Sequence, residues 1–216
     1  MELNKYIEHT LLKQDCTKEE VKKLFDEAIK YKFYGVCVNP SNVSFAHSYL
    51  KDTNVKIVTV VGFPLGQNTT ELKILETIDA VKNGADEIDM VLNVSKLKDG
   101  EDDYIVDEIS KIKFATQGRI LKVILETDIL TKDEIKHACE LCIKAKADIV
   151  KTSTGFVKNG VGAKVENVKL MYETVKDFGM QVKASGGIRD KETAINMINA
   201  GASRLGTSSG VKIVEG

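Results

Sequence analysis

The residues best suited to chemistry lie in Asp148-Ile149-Val150-Lys151-Thr152-Ser153-Thr154-Gly155-Phe156. An apolar β-branched pair runs into a lysine and then into Thr, Ser, Thr and Gly, the pattern of a buried strand that ends in a polar, turning loop. A lysine at that junction gives up hydration, which favours a neutral amine, the form that attacks carbonyls. Alternatively its long stem snorkels to solvent. A second lysine, Lys183, closes another apolar run, and Asp89 sits inside a third. An ammonium on Lys183 would favour the neutral amine on Lys151 and suit it to act as a Schiff-base nucleophile. The protonated imine is an electron sink. Asp89, working through water, could move the two protons that carbon–carbon cleavage requires.

The elements that must position these groups alternate between short apolar runs and amphipathic stretches, the signature of a parallel sheet covered by helices. Eight strands are predicted, at residues 6–10, 34–38, 55–61, 87–92, 120–126, 148–152, 181–184 and 203–206. Thr17-Lys18-Glu19-Glu20 and Thr131-Lys132-Asp133-Glu134 read as capping boxes at helix starts. Leu72, Leu75, Ile78 and Val81 repeat at helical spacing, with a stop at Asn83-Gly84. Further helices fit 102–114, 165–178 and 191–200. Eight strands in 216 residues, each followed by a helix, predict an α/β chain folded as a single (β/α)8 TIM barrel over residues 1–216.

Side-chain parity supports closure. Outward faces of barrel strands pack under helices and must be apolar, so polar residues on the other parity point inward. Ile88, Met90 and Leu92 go out and Asp89 goes in; Leu121, Val123 and Leu125 go out, leaving Lys122 and Glu126 inside. Val150 and Val182 likewise turn Lys151 and Lys183 inward, and Val36 and Val38 turn Cys37 inward. The strand at Val55 is ambiguous. A lumen holding Asp89, Lys122, Glu126, Lys151 and Lys183 is costly unless its charges are paired or used. A purely structural ion-pair network is the alternative.

Two glycine-rich turns, Lys183-Ala184-Ser185-Gly186-Gly187-Ile188-Arg189 and Leu205-Gly206-Thr207-Ser208-Ser209-Gly210, follow the last two strands. Together they predict a phosphate cradle, where close backbone approach and helix N-terminal amides favour an anion. Lys plus Arg (31) nearly cancels Asp plus Glu (32), so no nucleic-acid or membrane-surface partner is expected. No run has membrane-span length and no signal peptide is apparent, which predicts a cytoplasmic location and a small-molecule partner. Cys139 and Cys142 form C-x-x-C on a helical stripe and are read as packing, and His9, His47 and His137 are dispersed rather than clustered as ligands.

Ile7-Glu8-His9-Thr10, Gly35-Val36-Cys37-Val38-Asn39-Pro40, Val60-Val61-Gly62-Phe63-Pro64-Leu65-Gly66, Gly84-Ala85-Asp86-Glu87-Ile88-Asp89, Val150-Lys151-Thr152-Ser153-Thr154-Gly155-Phe156 and Lys183-Ala184-Ser185-Gly186-Gly187 closely resemble the deoxyribose-phosphate aldolases. The resemblance spans nearly the whole chain in order. It implies a metal-free, cofactor-free class I aldolase that cleaves 2-deoxy-D-ribose 5-phosphate to D-glyceraldehyde 3-phosphate and acetaldehyde. It makes Lys151 the Schiff-base lysine, Asp89 the proton donor and acceptor, and Lys183 the lysine that tunes Lys151. Gly155, Gly186, Gly187, Gly206, Ser208 and Ser209 match phosphate-loop positions, Thr152 belongs to the same substrate-binding set, and Cys37 matches the active-site cysteine. Glu8, Lys122 and Glu126 are supporting groups. Glu8 stands where the family usually has Asp. Some longer members carry a C-terminal tyrosine that assists proton transfer, and these residues end at Val214-Glu215-Gly216 without one. A homo-oligomer such as a dimer is compatible with the sequence, which does not itself reveal the oligomeric state. Three competing readings remain: a transaldolase-like Schiff-base enzyme with a ketone donor, a phosphosugar binder without turnover, and a C-x-x-C thiol protein.

Overall fold

A computed structural model describes residues 1–216. Its strands are β1 (Ile7–Leu11), β2 (Gly35–Val38), β3 (Lys56–Val61), β4 (Glu87–Val91), β5 (Ile120–Ile124), β6 (Ile149–Lys151), β7 (Gln181–Ser185) and β8 (Arg204–Thr207). Each pairs in parallel with the next and β8 pairs with β1, closing a (β/α)8 TIM barrel. The helices are α1 (Lys18–Tyr31), α2 (Val43–Leu50), α3 (Thr70–Lys82), α4 (Val94–Lys98), α5 (Asp102–Ala115), α6 (Lys132–Lys144), α7 (Val165–Val175), α8 (Lys191–Asn199) and α9 (Gly210–Glu215). Both expected capping boxes form, Thr17 with Glu20 and Thr131 with Glu134.

The core is a ring. Outward strand residues such as Val36, Ile88, Met90, Val123, Val150 and Val182 share one apolar layer with the inner faces of α1, α5, α6 and α7. Cys139 and Cys142 are buried in this layer, and burial alone pushes the Cys142 thiol up to about 12, so both behave as small hydrophobes. Inside the barrel a separate apolar patch joins Leu12, Cys37, Val58 and Val60, which settles the parity of β3. The opposite half of the lumen is left to charged groups.

Two expectations are corrected. β5 ends at Ile124, and Glu126 takes a left-handed turn at φ 64° instead of continuing the inward row. Its carboxylate therefore leaves the axis and caps the loop after β6. On α3 only Val81 of the stripe that marks the helix is buried: Leu72, Leu75 and Ile78 are 51%, 61% and 43% exposed, while Thr70, Lys73, Thr77 and Ala80 face inward. Polar groups can face inward here because they find partners. Lys73 Nζ donates to Glu108 Oε2 at 2.9 Å and to the Val91 carbonyl at 3.0 Å, joining α3 to α5 and to the end of β4. Burial pushes the Lys73 amine down and the Glu108 carboxyl up, each opposed by the charge of the other.

A buried pair of this kind costs most when half of it is removed. Lys73→Met is expected to lose about 3–5 kcal/mol of stability, and Lys73→Met/Glu108→Leu to recover most of that loss in urea unfolding. An additive loss in the double variant would show that the two side chains are not coupled.

Candidate active site

Strand register brings the charged groups to the barrel axis. Asp89 pairs with Lys122 across β4 and β5, Lys151 with Lys183 across β6 and β7, and Glu8 lies between Gly35 and Gly206 on its two neighbouring strands. Asp89 is the hub. Its Oδ1 accepts from Lys122 Nζ at 2.8 Å, and its Oδ2 accepts from Lys151 Nζ at 2.8 Å and Lys183 Nζ at 2.7 Å. Glu8 accepts a second hydrogen bond from Lys183 and lies 3.3 Å from Lys122 Nζ, so the glutamate at this position does reach the lysines. Gly206 leaves the space that Lys183 crosses, since a Cβ there would meet Lys183 Cε at 3.0 Å and Ser185 Cβ at 2.9 Å.

The electrostatics follow from this packing. Burial pushes the Asp89 carboxyl up, but the ammonium groups of Lys122, Lys151 and Lys183 outweigh it and hold the group well below the usual carboxylate range. Burial likewise pushes Lys183 and Lys122 down, and the carboxylates of Asp89 and Glu8 more than reverse it, keeping both firmly as ammonium ions. Only Lys151 of the three lines the open cavity, a space of about 350 Å³ at the C-terminal ends of the strands. Lys122 and Lys183 are wholly enclosed beneath it.

Gly155, Gly186, Gly187, Gly206 and Ser208 line the same cavity as Lys151, together with Lys13, Thr10 and Arg189. Gly186 and Gly187 adopt φ of 84° and 75°, and their backbone N–H groups and that of Ser208 donate to no protein acceptor. Free amides beside Lys13 and Arg189 suit a phosphate. Three predicted binding residues do not reach the cavity. Thr152 spends its hydroxyl on the Ser185 carbonyl at 2.9 Å, stapling β6 to β7. Ser209 lines an adjoining 850 Å³ depression between β1, α1 and α9, which shares Thr10, Lys13 and Ser208 with the cavity. Cys37 lies under the cavity floor in the inner apolar patch, where burial pushes its thiol up.

Glu126 acts on the loop that carries Gly155. It accepts from the Thr154 backbone N–H at 3.1 Å and from the Thr154 hydroxyl. Further along, Asp128 accepts from the amides of Val161 and Gly162, and Gly162 packs so closely on Gly186 that a Cβ would lie 2.4 Å from its carbonyl carbon. Phe63 meets Phe156 edge-on at 5.2 Å above the mouth.

Sequence reasoning missed Glu87 and Tyr34 at the lower end of the cluster. Glu87 was findable, since it stands two residues before Asp89 and shares its parity. Tyr34 precedes β2 and gave no such signal.

A family model described as DeoC/LacD family aldolase matches residues 3–215. A relative from Finegoldia magna, named deoxyribose-phosphate aldolase, is 55% identical over the full length of both chains. One of the same name from Caldanaerobacter subterraneus is 55% identical over all of this chain and 93% of its own. Among solved structures, one described as a putative deoxyribose-phosphate aldolase from Coccidioides immitis superposes with a TM-score of 0.96 at 44% identity, over 99% of this chain and 85% of that one. A deoxyribose phosphate aldolase from Aeropyrum pernix, described as having a unique tetrameric structure, gives 0.91 at 36% identity over 99% and 89%.

Proposed function

The chain belongs to the DeoC/LacD family of aldolases, and we propose from that membership and its axial lysines how it cleaves 2-deoxy-D-ribose 5-phosphate to D-glyceraldehyde 3-phosphate and acetaldehyde. It is a carbon–carbon lyase of the aldehyde-lyase type. One observation carries the mechanism: Lys151 alone of the three axial lysines faces the cavity, with its Nζ 2.8 Å from Asp89 Oδ2.

The open-chain sugar enters with its phosphate towards the free amides of Gly186, Gly187 and Ser208. Lys151, having released its ammonium proton to water at the cavity, attacks C1, and loss of water from the carbinolamine gives a protonated imine. Asp89, through water, takes the C3 hydroxyl proton. The C3 oxygen becomes a carbonyl, the C2–C3 bond breaks, and its electron pair moves through C1 to the imine nitrogen. Glyceraldehyde 3-phosphate leaves. The remaining enamine takes a proton back at C2 from the same relay, and water releases acetaldehyde from the imine. Lys183, kept as an ammonium, shares Asp89 Oδ2 with Lys151 and so holds the carboxylate in place beside the nucleophile. Each proton and electron pair is accounted for by the substrate, water and these side chains.

No helix is long and apolar enough to cross a membrane, and we place the enzyme in the cytoplasm, where phosphosugars are met. The same reading includes a homodimer. Leu72, Leu75 and Ile78 are exposed along one face of α3 and Leu65 on the loop before it, and exposed apolar side chains of this kind favour burial against a second copy. Light scattering is expected to give twice the chain mass, and Leu75→Glu to return it to one. A monomer at working concentration would remove that part.

Incubation with 2-deoxy-D-ribose 5-phosphate should release acetaldehyde and glyceraldehyde 3-phosphate in equal amounts. Binding without release would favour the non-catalytic binder, and turnover only with a hydroxyketone donor would favour the transaldolase-like enzyme.

A further inference from the structure

The mechanism leaves three groups without a part: the buried Lys122 and Glu87 and the half-buried Tyr34. Glu87 opens β4 two residues before Asp89, so it enters the lumen on the same face, one layer nearer the N-terminal ends of the strands. Its Oε2 lies 2.6 Å from Lys122 Nζ, and its Oε1 accepts from the Tyr34 hydroxyl. The Tyr34 ring in turn lies 3.7 Å beneath the Arg204 guanidinium, whose Nη1 donates to the Ser203 carbonyl at 2.9 Å. Lys122 is therefore held between two carboxylates, Asp89 on the cavity side and Glu87 on the far side. The contact with Glu87 is one of charge, since Glu87 Oε2 accepts no aligned hydrogen bond.

The titratable groups around this axis come from nearly every strand. They are Glu8 on β1, Tyr34 and Cys37 at β2, Glu87 and Asp89 on β4, Lys122 on β5, Lys151 on β6, Lys183 on β7 and Arg204 on β8, with Glu126 off the axis on Thr154. β3 contributes only Val58 and Val60. Within this set Lys122, Lys151, Lys183, Glu8, Glu87 and Asp89 form one connected network of three formal cations and three formal anions. Catalysis requires one of those cations, Lys151, to lose its proton. In so dry a cluster the charge of every other member bears on that loss.

Resting on the imine mechanism above, we propose that Glu87 is a positioning and charge-setting residue. It anchors Lys122 against Asp89, and its negative charge stabilises the ammonium on Lys151, so that it sets the pH below which the reaction slows. Glu87 does not touch substrate. It acts from the opposite side of the lysine network, and Tyr34 holds it there.

The test is the pH profile of kcat/KM for deoxyribose phosphate cleavage. Glu87→Gln removes one anion, which eases proton loss from Lys151, and the acid limb should move about one pH unit lower. Glu87→Asp and Tyr34→Phe keep the charge count, and their limbs should stay within about 0.3 unit of the parent on the same reasoning. A role in packing alone would lower kcat/KM equally at every pH. An unmoved limb in Glu87→Gln, or one displaced upward, overturns the proposal. Should that variant fail to fold, Lys122→Met is expected to move the limb upward, and Lys122→Met/Glu87→Gln to bring it back. A double variant left at the Lys122→Met position has the same overturning force. Failure of the underlying mechanism is distinguishable, because the parent protein would then show no cleavage and no imine with acetaldehyde.

Discussion

Lys151→Ala is expected to bind deoxyribose phosphate and not to cleave it, with turnover reduced by roughly 10⁵-fold or more, the scale seen when a covalent nucleophile is removed. Neither of the other axial lysines can substitute. Lys183 and Lys122 are enclosed beneath the cavity, each held as an ammonium by Asp89 and Glu8. Binding should survive because the amides of Gly186, Gly187 and Ser208 belong to loops that Lys151 does not support. The change also removes one of three cations bonded to Asp89, so a thermal melt must accompany the assay. Cleavage retained by a folded Lys151→Ala protein would contradict the imine mechanism.

Asp89→Asn has the second largest expected effect, and it should fall unequally on the steps. The amide removes the one group able to take the C3 hydroxyl proton and return a proton to the enamine, a contribution of about 10²–10⁴-fold for a positioned acid and base. Imine formation should suffer less. Loss of the Asp89 anion among three ammonium ions favours release of a proton from Lys151, which keeps the nucleophile available. Single-turnover trapping should therefore find imine accumulating ahead of cleavage. Exchange of the acetaldehyde methyl protons with deuterated solvent, which requires the enamine, should drop in step with cleavage. Equal losses in trapping and in exchange would assign Asp89 to binding instead.

How much of this was legible in the sequence depended on whether a residue's surroundings are local. The eight strands were legible because each is a short apolar run with polar punctuation, and their observed bounds shift by two residues or fewer. Inward parity found Asp89, Lys122, Lys151 and Lys183 because their outward neighbours are apolar, Thr152 beside Lys151 excepted. It failed at Glu126, where the strand had already ended and a left-handed residue broke the alternation. On α3, hydrophobic spacing identified a helix and concealed its buried face, because the pairing of Lys73 with Glu108 spans 35 residues and leaves no local mark. The short helices α2, α4 and α9 offer too few turns for a periodic signal. Thr152 and Cys37 looked like binding residues by position in their motifs, yet one is turned to Ser185 and the other lies beneath the floor, matters of packing that no spacing reveals.

The most direct test of the central claim is borohydride reduction in the presence of acetaldehyde, followed by peptide mass mapping. A two-carbon adduct on Lys151, and on no other lysine, is the expected result, and it would establish the nucleophile and the small donor together. A folded protein that cleaves deoxyribose phosphate with no adduct on Lys151, or with the adduct on Lys183 or Lys122, would contradict the account.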